Sequence, residues 1–248
     1  GQLGDGTGTL RRAPVTPAGL AGLSAVSAGN LHTVALRTDG TLRAWGFNGN
    51  GQLGDNTVTQ RAAPITVPGI TGVVEVSAGH RHTAAVKNDG TLWAWGLNTN
   101  GQLGDGSLFQ RNAPVQVPGL TGMASVSAGV AHTVALKNDG SIWAWGLNTN
   151  GQLGNGATTQ SAAPVQVTGF TGAIAVSAGA THSVALKNDG TVWAWGLNSN
   201  GQLGNGTTTQ RTAPVQVTGL TGVVAVSAGA AYTLALKNDG TLWAWGLN

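Results

Sequence analysis

Apolar and polar residues alternate in short runs along this chain, and glycine-rich turns separate the runs. Ala113-Pro114-Val115-Gln116-Val117 alternates with period two, behind a proline that suits the start of a strand. Pro118 to Gly122 is a turn, and Ala124 to Gly129 is a strand of small residues. His132 to Lys137 is the next strand, with His132, Val134 and Leu136 on one face and Thr133 and Ala135 on the other. Asn138-Asp139-Gly140 makes a tight hairpin turn, because Asp and Gly tolerate the backbone such turns need. Ser141 to Trp145 closes the set, with Trp143 and Trp145 on one face and Ile142 and Ala144 opposite. A long loop rich in Gly, Asn and Thr follows. No segment has the 3.6-residue period of a helix.

This pattern recurs every 50 residues without a gap. G-Q-L-G starts at Gly1, Gly51, Gly101, Gly151 and Gly201, and A-W-G at Ala44, Ala94, Ala144, Ala194 and Ala244. The chain therefore reads as one domain over 1–248, built from copies 1–50, 51–100, 101–150, 151–200 and 201–248. Four short strands per copy at this period is the pattern of a β-propeller blade. A four-stranded sheet with two apolar faces cannot bury both alone, so each copy needs neighbours. The small Val-Ser-Ala-Gly strand suits the axis, and the tryptophans suit the wider space between blades. The chain ends after a third strand and begins, after a loop, with a fourth-strand segment, Pro14-Val15-Thr16. The expectation is an all-β propeller of four-stranded antiparallel blades. It is either a five-bladed ring or part of a seven-bladed one, with the N-terminal strand completing the last blade. A closed ring would be monomeric; five repeats that fail to close would associate.

Composition narrows the class. Charged residues make up only 8% of the chain, and there is no cysteine, which excludes disulfides and thiolate chemistry. No apolar run approaches the ~20 residues of a spanning helix, so no membrane insertion is expected. Gly1 to Asp5 has neither an initiator Met nor a signal-peptide pattern and reads as a cut end.

The repeat residues carry a resemblance. Ala128-Gly129-Val130-Ala131-His132-Thr133-Val134-Ala135-Leu136, then Asp139-Gly140, Trp145-Gly146 and Asn148-Thr149-Asn150-Gly151-Gln152-Leu153-Gly154, are similar to the repeat of the regulator of chromosome condensation family. The resemblance implies a propeller, seven-bladed as the norm, in a family that contains exchange factors, chromatin binders, ligase modules and bacterial surface proteins. With the scarcity of charge, it points to a bacterial secreted or cell-surface protein, the cytoplasm being the alternative. Exchange activity in the family depends on acidic loop residues and an inserted wedge, and neither is present in this sequence.

Strand order assigns loops to ends. The N-D-G and G-L-T-G turns share one end and are nearly uniform between copies. At that end Arg37, Lys87, Lys137, Lys187 and Lys237 are matched one for one by Asp39, Asp89, Asp139, Asp189 and Asp239. The other end varies and holds Arg11, Arg12, Arg61, Arg81, Arg111 and Arg211 against Asp5, Asp55 and Asp105, which is the whole net charge of +3. Its candidate recognition residues are these arginines with Leu31, His80, Leu108 and Phe109, the last two as apolar anchors, because Arg and aromatic side chains dominate binding hot spots.

His32, His82, His132 and His182 recur, with Tyr232 in the fifth copy, but no acid or thiolate joins them as a metal ligand set. No catalytic triad or paired carboxylates appear. The reading is a non-enzymatic scaffold that binds another protein through the G-x-x-H and G-Q-L-G loop end, with no cofactor, no metal and no nucleic acid. The alternatives are an exchange factor for a small GTPase and a purely structural array within a larger surface protein.

Overall fold

The computed structural model describes residues 1–248 and contains nineteen β-strands and no helix. Blade 1 is β1 (Leu23–Ala28), β2 (His32–Arg37), β3 (Leu42–Gly46) and β4 (Arg61–Thr66). Blade 2 is β5 (Val73–Ala78), β6 (His82–Lys87), β7 (Leu92–Gly96) and β8 (Arg111–Gln116). Blade 3 is β9 (Met123–Ala128), β10 (His132–Lys137), β11 (Ile142–Gly146) and β12 (Ser161–Gln166). Blade 4 is β13 (Ala173–Ala178), β14 (His182–Lys187), β15 (Val192–Gly196) and β16 (Arg211–Gln216). Blade 5 has only β17 (Val223–Ala228), β18 (Tyr232–Lys237) and β19 (Leu242–Gly246). Every pairing is antiparallel between chain neighbours, for example Ala135 opposite Trp143 and Ala144 opposite Val165.

The core lies between blades rather than within them. At the first seam Val34, Leu36, Leu42 and Ala44 of blade 1 pack with Leu53 of the long loop against Val73, Val76, Ala85 and Trp95 of blade 2. Trp145 and Trp195 fill the same place at the next two seams and are fully buried. Burial of an aromatic side chain removes about 150–250 Å² from water, so each such indole contributes several kcal/mol at ~25 cal/mol per Å².

Polar groups lock the same seams. His132 Nε2 lies 3.0 Å from Ser183 Oγ of the next blade, and that hydroxyl donates to the Gln152 carbonyl at 2.8 Å. Trp195 Nε1 donates to the same carbonyl at 2.9 Å. His32, His82 and His182 repeat the arrangement with Thr83, Thr133 and Thr233. The hydroxyl spends its proton on the carbonyl, so the imidazole must donate from Nε2. Nearer the axis, Ser127 Oγ accepts from the Ala178 backbone N–H at 2.9 Å, one of four such bonds between successive inner strands. Gly129 is required here: a Cβ would lie 2.6 Å from the His132 ring and 2.7 Å from the Gly179 carbonyl oxygen.

The N-terminal segment does not complete the last blade. Residues 13–17 form no strand, and β19 has no fourth partner. The arc stays open between blades 5 and 1, so Val26 is 67% exposed where its counterpart Val76 is 9% exposed. Gln2 is held on blade 1, its carbonyl accepting from Trp45 Nε1 at 2.9 Å and from Thr33 Oγ1 at 3.0 Å, as Gln52 serves blade 2. The same anchor in the next copy leaves Arg61–Thr66 free to pair as β4, so what residues 13–17 lack is a third strand beside them. Successive inner strands pack together from β1 to β17, and no comparable packing joins β17 to β1.

Candidate functional site

The loop end of each blade is built on one buried asparagine. Asn98, the second residue after β7, donates from Nδ2 to Asp105 Oδ1 at 3.0 Å, to the Ser107 carbonyl at 3.0 Å and to the Phe109 carbonyl at 3.1 Å. Its Oδ1 accepts from the Leu103 N–H at 3.0 Å. A long loop is thus pinned along its length by one side chain, and Asn48, Asn148 and Asn198 do the same in their blades. These asparagines were not among the candidates read from sequence. The signal available was their invariance between copies inside loops that otherwise differ.

The six arginines of this end fall into two groups. Arg11, Arg61 and Arg111 pair with Asp5, Asp55 and Asp105 at 2.6, 2.7 and 2.7 Å, and the aspartate side chains are almost wholly buried. At Asp55 burial raises the carboxyl pKa, but the Thr57 hydroxyl and the Arg61 guanidinium outweigh it and hold the group below its ordinary value. These three arginines are struts within their own loops. Arg12 and Arg81 are exposed and pair with no carboxylate. Arg211 is half-buried, and with Asn205 where the first three copies have Asp its Nε has no partner.

Four of the predicted residues come together. Arg81 follows His80 in the inner loop of blade 2, and its carbonyl accepts from the Leu97 N–H at 2.8 Å. Leu97 precedes Asn98, which holds Phe109, so Arg81 and the Leu108-Phe109 pair are tied to adjacent residues of one loop. Phe109 is 75% exposed. His80 is half-buried, its N–H bonded to the Gly129 carbonyl at 3.2 Å. Burial and then the neighbouring Arg81 lower its pKa, so it is neutral at pH 7. His80 and Asn30 are the only polar side chains in a shallow axial depression lined by the Ala-Gly-x segments of all five copies. Leu31 belongs to blade 1, Arg12 to the unpaired N-terminal segment and Arg211 to blade 4, so these three are not brought to the blade 2 group.

The histidine ring is a fastening. Burial first, then neighbouring imidazoles, push the pKa of His82 and His132 down to about 3, and burial pushes His32 and His182 down to about 4. Each imidazole is neutral and committed to the next blade's hydroxyl at physiological pH.

At the opposite end the turns interlock and the charges cancel. The Met123 N–H donates to the Gly90 carbonyl at 3.0 Å and the Asn138 N–H to the Gly122 carbonyl at 2.9 Å, joining the N-D-G turn to the next copy's turn. Four of the five cations there lie within 3.3–3.8 Å of their aspartates. The fifth, Lys187, sits over the Phe170 and Trp193 rings at 4.7 and 4.9 Å.

Five repeated antiparallel sheets fastened blade to blade define a β-propeller repeat protein. The RCC1-like domain model matches the chain over residues 1–248, and the chain belongs to that family. No curated protein sequence matches it significantly. Human WBSCR16 superposes with a TM-score of 0.81 at 24% identity, over 90% of this chain and 61% of that one. Prp20p from Saccharomyces cerevisiae, studied for its binding to Gsp1p and histones, gives 0.78 at 25% identity over 90% and 57%. Yeast RCC1 (Prp20) bound to Kap60 gives 0.78 at 24% identity over 90% and 56%. The chain therefore spans about three-fifths of the length of the solved proteins it resembles.

Proposed function

We propose that this chain is a non-enzymatic recognition module whose loop end binds another protein. The observation that carries the reading is the contrast between its two ends. One end is uniform from copy to copy and electrically neutral. The other displays different side chains on the same asparagine-pinned backbone, and it holds Arg12, Arg81 and Arg211, none of which has an acidic partner. Rigid loops that vary on a constant scaffold are where binding residues concentrate. Relatives of this family bind proteins, Kap60 and Gsp1p among them, which supports a protein partner.

The test is affinity capture, identification of the captured protein and measurement of its affinity in purified form. Substituting the loop end (Arg81→Glu) is expected to weaken binding at least about ten-fold, while Lys137→Glu at the opposite end leaves it unchanged. The reverse pattern overturns the reading. A second reading, exchange activity on a small GTPase, is favoured by the likeness to Prp20p. It predicts accelerated release of fluorescent GDP from Gsp1p, and unaccelerated release removes it.

A further inference from the structure

The proposal that follows rests on the loop-end reading and narrows it to one blade and one kind of partner. Five blades share a backbone, so each serves as a control for the others. In blade 3 the Ala131 carbonyl accepts from the Leu147 N–H at 2.8 Å, and Asn148 Nδ2 donates to the Thr159 carbonyl at 3.0 Å. That is the geometry of blade 2, with Ala131 in the place of Arg81 and Thr159 in the place of Phe109. Blade 4 has Thr181 and Thr209 at these positions, and blade 1 has Leu31 and Thr59. Only blade 2 has an arginine at the inner-loop position together with a large apolar pair on the long loop bonded to it.

Charge separates the blades in the same way. With Arg11, Arg61 and Arg111 neutralised by their own loops, the net charge of +3 resides in Arg12, Arg81 and Arg211. Of these, Arg81 alone is both exposed and bonded, through its carbonyl, to the loop that carries Leu108 and Phe109. A guanidinium without a carboxylate offers a planar fork of donors suited to a carboxylate from outside. The exposed phenylalanine of the loop bonded to Arg81 offers a surface for an apolar side chain, and neutral His80 precedes Arg81 in the inner loop. One cation beside an apolar anchor fits a polypeptide better than a nucleic acid, which draws on several phosphate contacts at once.

We propose that the loop end of blade 2 is the anchoring site for an acidic segment of a partner protein, with a carboxylate on Arg81 and an adjacent apolar side chain on Leu108 and Phe109. Arg12, in the N-terminal segment, and Arg211, on blade 4, contribute attraction at a distance rather than contact.

The experiment uses fluorescent peptides: one with a leucine flanked by glutamates, one with that leucine changed to alanine and one with the glutamates changed to lysines. A single-stranded oligonucleotide is the competitor. Two variants use only residues that the same backbone already carries. The erased protein combines His80→Val, Arg81→Ala, Leu108→Thr and Phe109→Thr. The grafted protein combines Val130→His, Ala131→Arg, Thr158→Leu and Thr159→Phe. Thermal melting checks that both fold. The acidic leucine peptide is expected to bind the natural chain once, about ten-fold more weakly to the erased protein and twice per grafted protein. Changing leucine to alanine weakens it, the lysine peptide does not bind, and salt weakens the acidic peptide further.

Equal affinity for natural and erased proteins overturns the proposal. So does absence of binding by the acidic peptide, preference for the lysine peptide, or displacement from Arg81 by the oligonucleotide. If NMR shifts instead map the peptide to the loops of blades 4 and 5, the blade 2 assignment fails and the loop-end reading stands. If they map to the N-D-G turns, both fail.

Discussion

The seam between blades 2 and 3 and the free edge of blade 5 are made from the same repeat, yet they have opposite relations to water. At the seam Trp145 is fully buried, and Ile142 fills the equivalent place before the next seam with no exposure. On blade 5 Leu242, the counterpart of Ile142, is 66% exposed, and Trp243, the counterpart of half-buried Trp143, is 50% exposed, because no strand pairs outside β19 and no blade covers that face here. An apolar side chain in a repeat protein belongs to a pair of repeats, and its contribution appears only when both are present. The polar positions agree. Four histidines each reach a hydroxyl on the following blade, whereas Tyr232, in the copy that none follows here, has no such hydroxyl to reach. On the uncovered face of blade 1, Arg43 stands where the other copies have tryptophan and bonds the Thr66 hydroxyl instead.

Acid is expected to break the contrast most strongly. The four seam histidines are held neutral in the fold, with pKa values of about 3 to 4 against 6.5 when unfolded. Below pH 6.5 the unfolded chain binds more protons than the folded one, so stability is full above that pH and lost as the pH falls toward 4. The slope approaches about 1.4 kcal/mol per pH unit for each histidine. Denaturant midpoints at pH 7.5 and pH 5 check this, and equal midpoints contradict the buried neutral ring.

Tryptophan truncation sharpens it next. Trp145→Ala, inside a seam, is expected to cost about 3–5 kcal/mol, while Trp243→Ala on the free edge costs under ~1 kcal/mol. Similar losses at the two positions in thermal melting would mean that blade 5 is covered in solution. The smallest effect is expected within a loop: Asp105→Asn removes an ion pair whose arginine faces solvent and costs about 1 kcal/mol or less. Asn155 and Asn205 already occupy that position and keep the bond from the loop asparagine at 3.2 and 3.1 Å. A much larger loss would make the pair more than a strut.

Strand positions were legible in the sequence to within two residues. The third copy reads as strands at Ala113 to Val117 and Ser141 to Trp145, and the structure has them at Arg111–Gln116 and Ile142–Gly146. Alternation, the N-D-G turn and a strict period carry that information locally. The candidate site was legible only as a list of exposed side chains. Arg61 and Arg81 look alike in sequence, and a six-residue spacing to Asp55 does not reveal that the loop folds back to pair them. Nor could ring closure be read. The Pro14-Val15-Thr16 segment matches the other fourth strands, but whether it pairs depends on a third strand lying beside it, and β19 is not brought there.

By itself, then, the sequence determined the repeat, its strands, its tryptophan-lined faces and which end of each blade would differ from the next. Those properties follow from backbone periodicity and from the chemistry of turns, and both act over a few residues. Tertiary structure alone decided that five blades make an open arc, that three arginines are tied down while Arg81 is left free, and that the Arg81 backbone is bonded to the loop carrying Phe109. Each of these depends on angles and distances between segments far apart in the chain, summed over many contacts, which no local pattern encodes.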